Sequence, residues 1–394
     1  MIPVRAPAHD RTAVPPLARW PVGLVTAVVA VVHLVAGALA RGYWFDEALM
    51  LALGRNHLDW GSADQPPLAP ATAWLADTLV PGSLPVLRIV PSLATAAAVL
   101  VAALIARELA GDRRAQTLTA LAAATGIWST LTGHWLTPYT LEPVGWLLIV
   151  WLLVRWIRLR DDRLLLAVGP VLGIAALTKF QVIGFAAVLL LAIAVTGPRE
   201  ILRRPAFWWA TLIGALIAAP TLAWQATRDW PQLQMGAIAA SEADALAGGR
   251  PGVAVGLVVL SGVLGTVLLL AGLVWTVTDQ RLRPYRFLAL TFVVMWGLVV
   301  VSAGRFYYLD GMHGALAALG AVGFQHRREA GRRRLSWAAW PGAVLSVVVA
   351  AAFVPFSATI SSPEVQDRTA AAVARVLREL PPEERARAVV YGQS

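Results

Sequence analysis

The sequence predicts an all-α polytopic membrane protein of about eleven transmembrane helices, with a large loop after the first. Three observations carry that expectation. The 394 residues are 58% hydrophobic and only 14% charged, where a soluble domain holds about a quarter charged residues, and mean hydropathy is +0.65. Apolar stretches of roughly 18–25 residues recur from end to end, each long enough to cross ~30 Å of hydrocarbon. Between them, Arg-rich loops alternate with loops poor in Arg and rich in Trp, Tyr, Pro and acid.

Residues 1–20 are Pro- and Arg-rich and read as a disordered cytoplasmic tail. The run from Pro21 to Ala40 shows no small-x-small cleavage pattern, so it reads as a retained helix rather than a signal peptide. Further spans are expected near 86–106, 116–133, 141–157, 164–177, 180–196, 206–223, 252–277, 287–303, 308–325 and 337–357. Only Thr178 and Lys179 separate 164–177 from 180–196, which are either two spans or one broken or re-entrant pair. Trp208, Trp209, Trp337 and Trp340 fall at span boundaries and fit an aromatic belt.

Arginines cluster around residues 5–19, 107–114, 155–163, 199–204, 281–286 and 327–334. Cations are retained on the cytoplasmic side, which puts the N-terminus inside and the C-terminus outside in a plasma (inner) membrane. The net charge of +10 is then topological, and no basic–aromatic stretch suggests a nucleic-acid partner. Zero cysteines exclude disulfides and thiolate metal sites. The core is expected over 21–357, with large outer loops at 41–85 and 224–250. Residues 358–394 read as a short outer α/β segment, helical over 364–379 and then strand-like, either naturally short or truncated.

Several acids, one lysine, an arginine and tyrosines fall together on the outer side. Asp46 and Glu47 follow the first span; adjacent residues face different sides of a helix, and Asp46 also fits as the N-cap of a short helix over 47–55. Asp64 precedes Gln65, Pro66 and Pro67, a rigid extended bend. His134, Tyr139 and Glu142 cluster at the outer end of two spans. Lys179, the one lysine in the chain, and Arg305 are candidate phosphate contacts, with Tyr307 and Tyr308 following the arginine. An acid-bearing first loop without internal repeats suggests a catalytic rim; a transporter or flippase for a lipid-linked or polar solute is the alternative, and would carry ionisable residues near mid-membrane.

The order of motifs resembles the GT-C membrane glycosyltransferases of the family 39 type, related to protein O-mannosyltransferases and lipid A aminoarabinose transferases. The resemblance rests on Phe45-Asp46-Glu47-Ala48, Asp64-x-Pro-Pro-Leu68, Leu87-Arg-x-x-Pro-Ser92, Glu142, Leu177-Thr-Lys-Phe180, Trp224-x-Ala-x-x-Asp-Trp230 and Arg305-x-Tyr-Tyr-Leu309. Gln65 stands where family members often have His, and Glu142 where Asp is common.

The resemblance implies a GT-C fold and transfer of a sugar, with inversion, from a polyprenyl-phosphate donor in the membrane lipid. The acceptor hydroxyl would belong to a glycan, glycolipid or protein. It makes Asp46 the catalytic base, with Glu47 beside it in the catalytic pair, although helical geometry favours a structural role for Glu47. Asp64 and Glu142, grouped with His134 and Tyr139, would orient the acceptor. Lys179, Arg305, Tyr307 and Tyr308 would bind the donor phosphate. Asp46, Asp64 and Glu142 could hold a divalent cation, Mg²⁺, Mn²⁺ or Ca²⁺ by their oxygen ligands; Gln65 in place of His puts that site in question.

Overall fold

The computed structural model describes residues 14–332 and 339–360, together with Glu364 and Arg368. The expected N-terminal tail as far as residue 13, Trp337 and nearly all of the C-terminal α/β segment lie outside the described residues. Among the described residues every regular element is helical.

The first apolar run forms helix α1 (Arg19–Leu39). The first large loop carries three short helices, α2 (Phe45–Asn56), α3 (Leu68–Leu79) and α4 (Leu84–Leu87). Helices α2 and α3 pack as a hairpin at Gly54, where an added Cβ would lie 2.6 Å from the carbonyl oxygen of Pro70. The chain continues through α5 (Ile89–Glu108), α6 (Arg113–Ala124), α7 (Ile127–Thr132), α8 (Pro138–Leu159), α9 (Asp162–Thr178), α10 (Gln181–Thr196) and α11 (Pro205–Ala226). The second large loop holds α12 (Pro231–Ser241) and α13 (Ala243–Ala247). Helices α14 (Gly249–Val259), α15 (Gly262–Thr278), α16 (Arg286–Val301), α17 (Asp310–Glu329) and α18 (Ala339–Ile360) complete the described bundle.

Helices occur in all eleven predicted spans, but not all are long and apolar enough to cross a membrane. Six described helices meet that requirement, or seven if the α14–α15 pair, bent by 92°, counts as one broken span. The shortfall has physical causes. The stretch 116–133 breaks at Thr125-Gly126 into α6 and α7. Helices α9 and α10 have 17 and 16 residues, about 24–26 Å at 1.5 Å per residue. Helix α17 bears Asp310 in its first turn and His326, Arg327 and Arg328 in its last.

The two breaks complete each other: Ile127 N–H donates to the Leu260 carbonyl at 2.8 Å. Irregular backbone at membrane depth is tolerated where protein satisfies its polar groups. Lipid gives helices no hydrophobic reason to associate, so small residues that admit close approach hold the bundle. The α15–α17 contact shows this at Gly320, where a Cβ would stand 2.0 Å from the Leu268 carbonyl oxygen. Helix α17, rich in Gly and Ala, is buried along nearly its whole length. In contrast α1 exposes Leu24, Val28, Val31, Val35 and Leu39, a stripe suited to acyl chains.

At the Arg-rich end, Glu108 is buried and paired with Arg155 at 2.9 Å and Arg158 at 2.5 Å. Asp112 pairs with Arg328, and His326 with Asp279 at 2.5 Å. These pairs tie the ends of α5, α8, α15 and α17 together. The predicted site residues gather at the opposite end.

Candidate active site

The site begins where α1 ends. The chain turns at residues 40–44 and enters α2, whose first turn contains both acids. Asp46 is the second helical residue, not the N-cap that the sequence alone suggests; Glu47 binds the helix start instead, accepting from Trp44 N–H at 2.8 Å.

The two acids diverge, as helical geometry requires. Glu47 turns inward and is fully buried, together with Arg88 from the start of α5. Arg88 donates through Nε at 2.8 Å and Nη2 at 2.5 Å, and Leu136 N–H adds a bond at 3.1 Å. Both oxygens of Glu47 are engaged in this lattice, which fastens α2 to α5 and to the α7–α8 connection, the structural role that helical geometry favours for it. A buried charge of this kind is tolerated because it is both paired and hydrogen-bonded.

Asp46 points the other way. Its Oδ2 accepts from the Tyr139 hydroxyl at 2.8 Å and from Trp44 Nε1 at 3.3 Å. Trp44 Nε1 also donates to the Tyr139 oxygen at 2.9 Å. Burial raises the Asp46 pKa above its ordinary value; the bonds from Tyr139 and Trp44 and the charge of Lys179 oppose this, and Asp64 adds to it. A raised but hydrogen-bonded carboxylate suits a general base.

Tyr139 opens the first turn of α8, with Glu142 one turn further on. Glu142 pairs with Lys179 at 3.6 Å, while its Oε1 is buried without a hydrogen bond. Lys179 stands in the break between α9 and α10, its ammonium 4.4 Å from the Tyr308 ring centre and 5.3 Å from that of Tyr307. The Tyr307 ring stacks on Trp128 at 4.3 Å and lies 5.2 Å from Tyr139. Arg305 pairs with Glu242, and its Nη1 is buried without a partner. Asp64 accepts from Gln65 Nε2 at 2.7 Å and from Gln232 Nε2 at 3.5 Å.

The structure thus brings together Asp46, Tyr139, Glu142, Lys179, Tyr307 and Tyr308, with Asp64 and Arg305 at the rim. His134 departs from its expected group. Its ring is buried against His33, Nδ1 to Nδ1 at 3.4 Å, and edge-on to Trp135. Burial pushes its pKa down to about 3, so it is neutral at ordinary pH.

Three residues were missed as site members. Arg88 stood inside a quoted motif without a role; a cation in the apolar stretch 84–108, at the end away from Arg107, was its signal. Trp44 and Trp128, like the other aromatics at span ends, carried no distinguishing mark. A cavity of about 40 Å³ adjoins Tyr139 and is lined by Thr132, Thr140, Ser129, Asp310 and His313 among others, room for ordered water.

The carboxylates do not form a cation cage. Asp46 is bound by Tyr139 and Trp44, Asp64 by glutamines, and Glu142 by an ammonium. No group of three or more His, Asp or Glu side chains among the described residues is arranged to hold a metal ion. The donor set Asp46, Asp64 and Glu142 does not fit one in this structure.

The family model described as dolichyl-phosphate-mannose-protein mannosyltransferase matches residues 64–224, less than half of the chain. No curated protein matches by sequence. Among solved structures, ArnT from Cupriavidus metallidurans bound to undecaprenyl phosphate superposes with a TM-score of 0.67 at 18% identity, over 85% of this chain and 64% of that one. The oligosaccharyltransferase of Archaeoglobus fulgidus in its apo form gives 0.53 at 14% identity, over 95% of this chain and 59% of that one. Its complex with Zn and sulfate gives 0.51 at 14% identity, over 83% and 53%. The chain therefore spans less than two thirds of the length of these proteins. Its polytopic helical architecture, with a first loop of short helices packed over one end of the bundle, is the GT-C fold of membrane glycosyltransferases.

Proposed function

We propose that the chain is an integral-membrane glycosyltransferase that moves a sugar from a polyprenyl-phosphate donor to an acceptor hydroxyl, with inversion, on the outer face of the plasma membrane. The observation that carries this reading is the juxtaposition of a half-buried, hydrogen-bonded Asp46 with Lys179 and the Tyr307–Tyr308 pair at one end of the bundle. ArnT, which shares the fold, has been seen with undecaprenyl phosphate, and that supports a lipid-phosphate donor here.

In this reaction Asp46 takes the acceptor proton as the acceptor oxygen bonds to the anomeric carbon. The bond from that carbon to the donor phosphate oxygen breaks, and its electron pair leaves with the phosphate. Lys179 and Arg305 stabilise the charge that develops there, and Tyr307 and Tyr308 flank it. Asp64 orients the acceptor, a hydroxyl of a protein, glycolipid or envelope glycan. A membrane-lipid donor suits a site at one end of a bundle of apolar helices.

Purified Asp46→Asn tests the reading. General-base catalysis is typically worth ~10²–10⁴-fold, so transfer should fall by that factor while donor binding persists. Undiminished transfer by Asp46→Asn would remove the base assignment. Mass spectrometry of envelope glycans after gene deletion would identify the sugar and acceptor.

A further inference from the structure

Lys179 is the chain's one lysine among 33 cationic side chains. The break between α9 and α10 places it in extended backbone (φ −160, ψ 131) between two apolar helices. Its ammonium is held by Glu142 Oε2 at 3.6 Å and lies over the rings of Tyr308 and Tyr307 at 4.4 and 5.3 Å. The Lys179 side chain is 18% exposed and that of Glu142 7%. A lysine on a flexible stem is ordinarily a mobile point charge; here a carboxylate and two ring faces fix it before any ligand arrives. The acids a divalent cation would use are meanwhile bound by protein donors, one of them by this ammonium.

We propose that Glu142 is a positioning residue which, with Tyr307 and Tyr308, clamps Lys179 as the fixed cation of the site, so that transfer needs no divalent metal ion. The inference rests on the transferase reading. When the sugar–phosphate bond breaks, the electron pair passes to the phosphate oxygen, and the ammonium compensates that charge without giving up a proton. The acceptor proton goes to Asp46. Because Glu142 also neutralises Lys179 in the resting site, its removal should loosen the ammonium without weakening ground-state attraction for phosphate. The effect therefore belongs to the transition state.

The experiment uses the full chain in lipid nanodiscs, with undecaprenyl phosphate as the binding probe and its glycosylated form as donor. Initial rates after EDTA treatment should stay within about twofold of untreated enzyme. A loss of tenfold or more that Mg²⁺ or Mn²⁺ restores would overturn the metal-independent clamp. A Mn²⁺ titration followed by electron paramagnetic resonance should show no site tighter than millimolar; a micromolar site that Asp46→Asn abolishes would overturn it without reference to activity.

For the positioning role, Glu142→Gln should lower kcat by about tenfold or more, with undecaprenyl phosphate bound at wild-type stoichiometry and no more weakly. Glu142→Asp should recover part of the rate. A fall in binding stoichiometry parallel to kcat would mean that Glu142 merely supports the fold, and an unchanged kcat would mean that it positions nothing. If the wild-type chain turns over no polyprenyl-phosphate sugar, the transferase reading fails. The Mn²⁺ titration still decides the metal question, because it is read without turnover, and the positioning role falls with the transferase reading.

Discussion

Replacing Glu47 by Gln removes one charge of a buried pair while keeping the side chain's size. Glu47 and Arg88 are 0% and 1% exposed, and Glu47 accepts four bonds: two from Arg88, one from Trp44 N–H and one from Leu136 N–H. In Glu47→Gln the amide nitrogen must stand where one carboxylate oxygen accepted. If it takes the place of Oε2, it meets the donors Arg88 Nη2 and Trp44 N–H. Two bonds are lost, one of them charge-assisted, and the guanidinium stays buried without its counter-charge. Removing one partner of a buried pair costs about 3–5 kcal/mol. The double variant Glu47→Gln/Arg88→Met should recover much of that, since an apolar side chain of similar volume commonly replaces such a pair at little cost. Recovery will be partial, because Arg88 also donates to the carbonyls of Gly42 at 2.9 Å and Gly37 at 3.3 Å. Reversible unfolding in mixed detergent–SDS micelles measures all four corners of the cycle. A single-variant loss below about 1 kcal/mol, or additive losses in the double variant, would refute the view that this pair anchors α2.

Four further expectations rest on the same geometry. The acid limb of the rate–pH profile should lie above 3.8, because burial raises Asp46 above that value and the base is lost as pH falls through its folded pKa. Tyr139→Phe removes a bond that favours the charged carboxylate, so titration of this variant should move the limb higher still. The sign for stability is opposite: a carboxyl whose folded pKa is raised destabilises the fold as pH rises through the window from the unfolded to the folded value. Asp46→Asn should thus unfold no more easily than wild type at neutral pH while losing transfer, as parallel unfolding and activity measurements would show. Gly320→Ala forces a Cβ to within 2.0 Å of the Leu268 carbonyl oxygen. Overpacking typically costs about 1–3 kcal/mol, so its unfolding midpoint should fall with the α2 pair intact.

Much of the site was legible because its residues break local rules. Carboxylates, a lone lysine and an arginine in greasy sequence are costly unless paired or functional, and six of the predicted residues converge within contact of one another. Arg88 broke the same rule inside an apolar helix, yet its partner lies 41 positions earlier, and no local pattern announces a pairing at that separation. His134 was grouped by nearness in sequence to Tyr139 and Glu142. Its ring instead crosses to His33, 101 positions away.

The sequence by itself determined that the chain is helical and membrane-spanning and that arginines favour one set of loops, since hydrocarbon length and the cost of charge in lipid act on each segment separately. It also separated Asp46 from Glu47, because neighbours on a helix cannot face one way. Tertiary structure decided which acid stayed available. It closed Glu47 onto Arg88, set Lys179 between Glu142 and two tyrosine rings, and turned two predicted spans into broken helices whose free backbone groups bond each other. Those outcomes depend on contacts between segments far apart in the chain, and only packing brings such segments within reach.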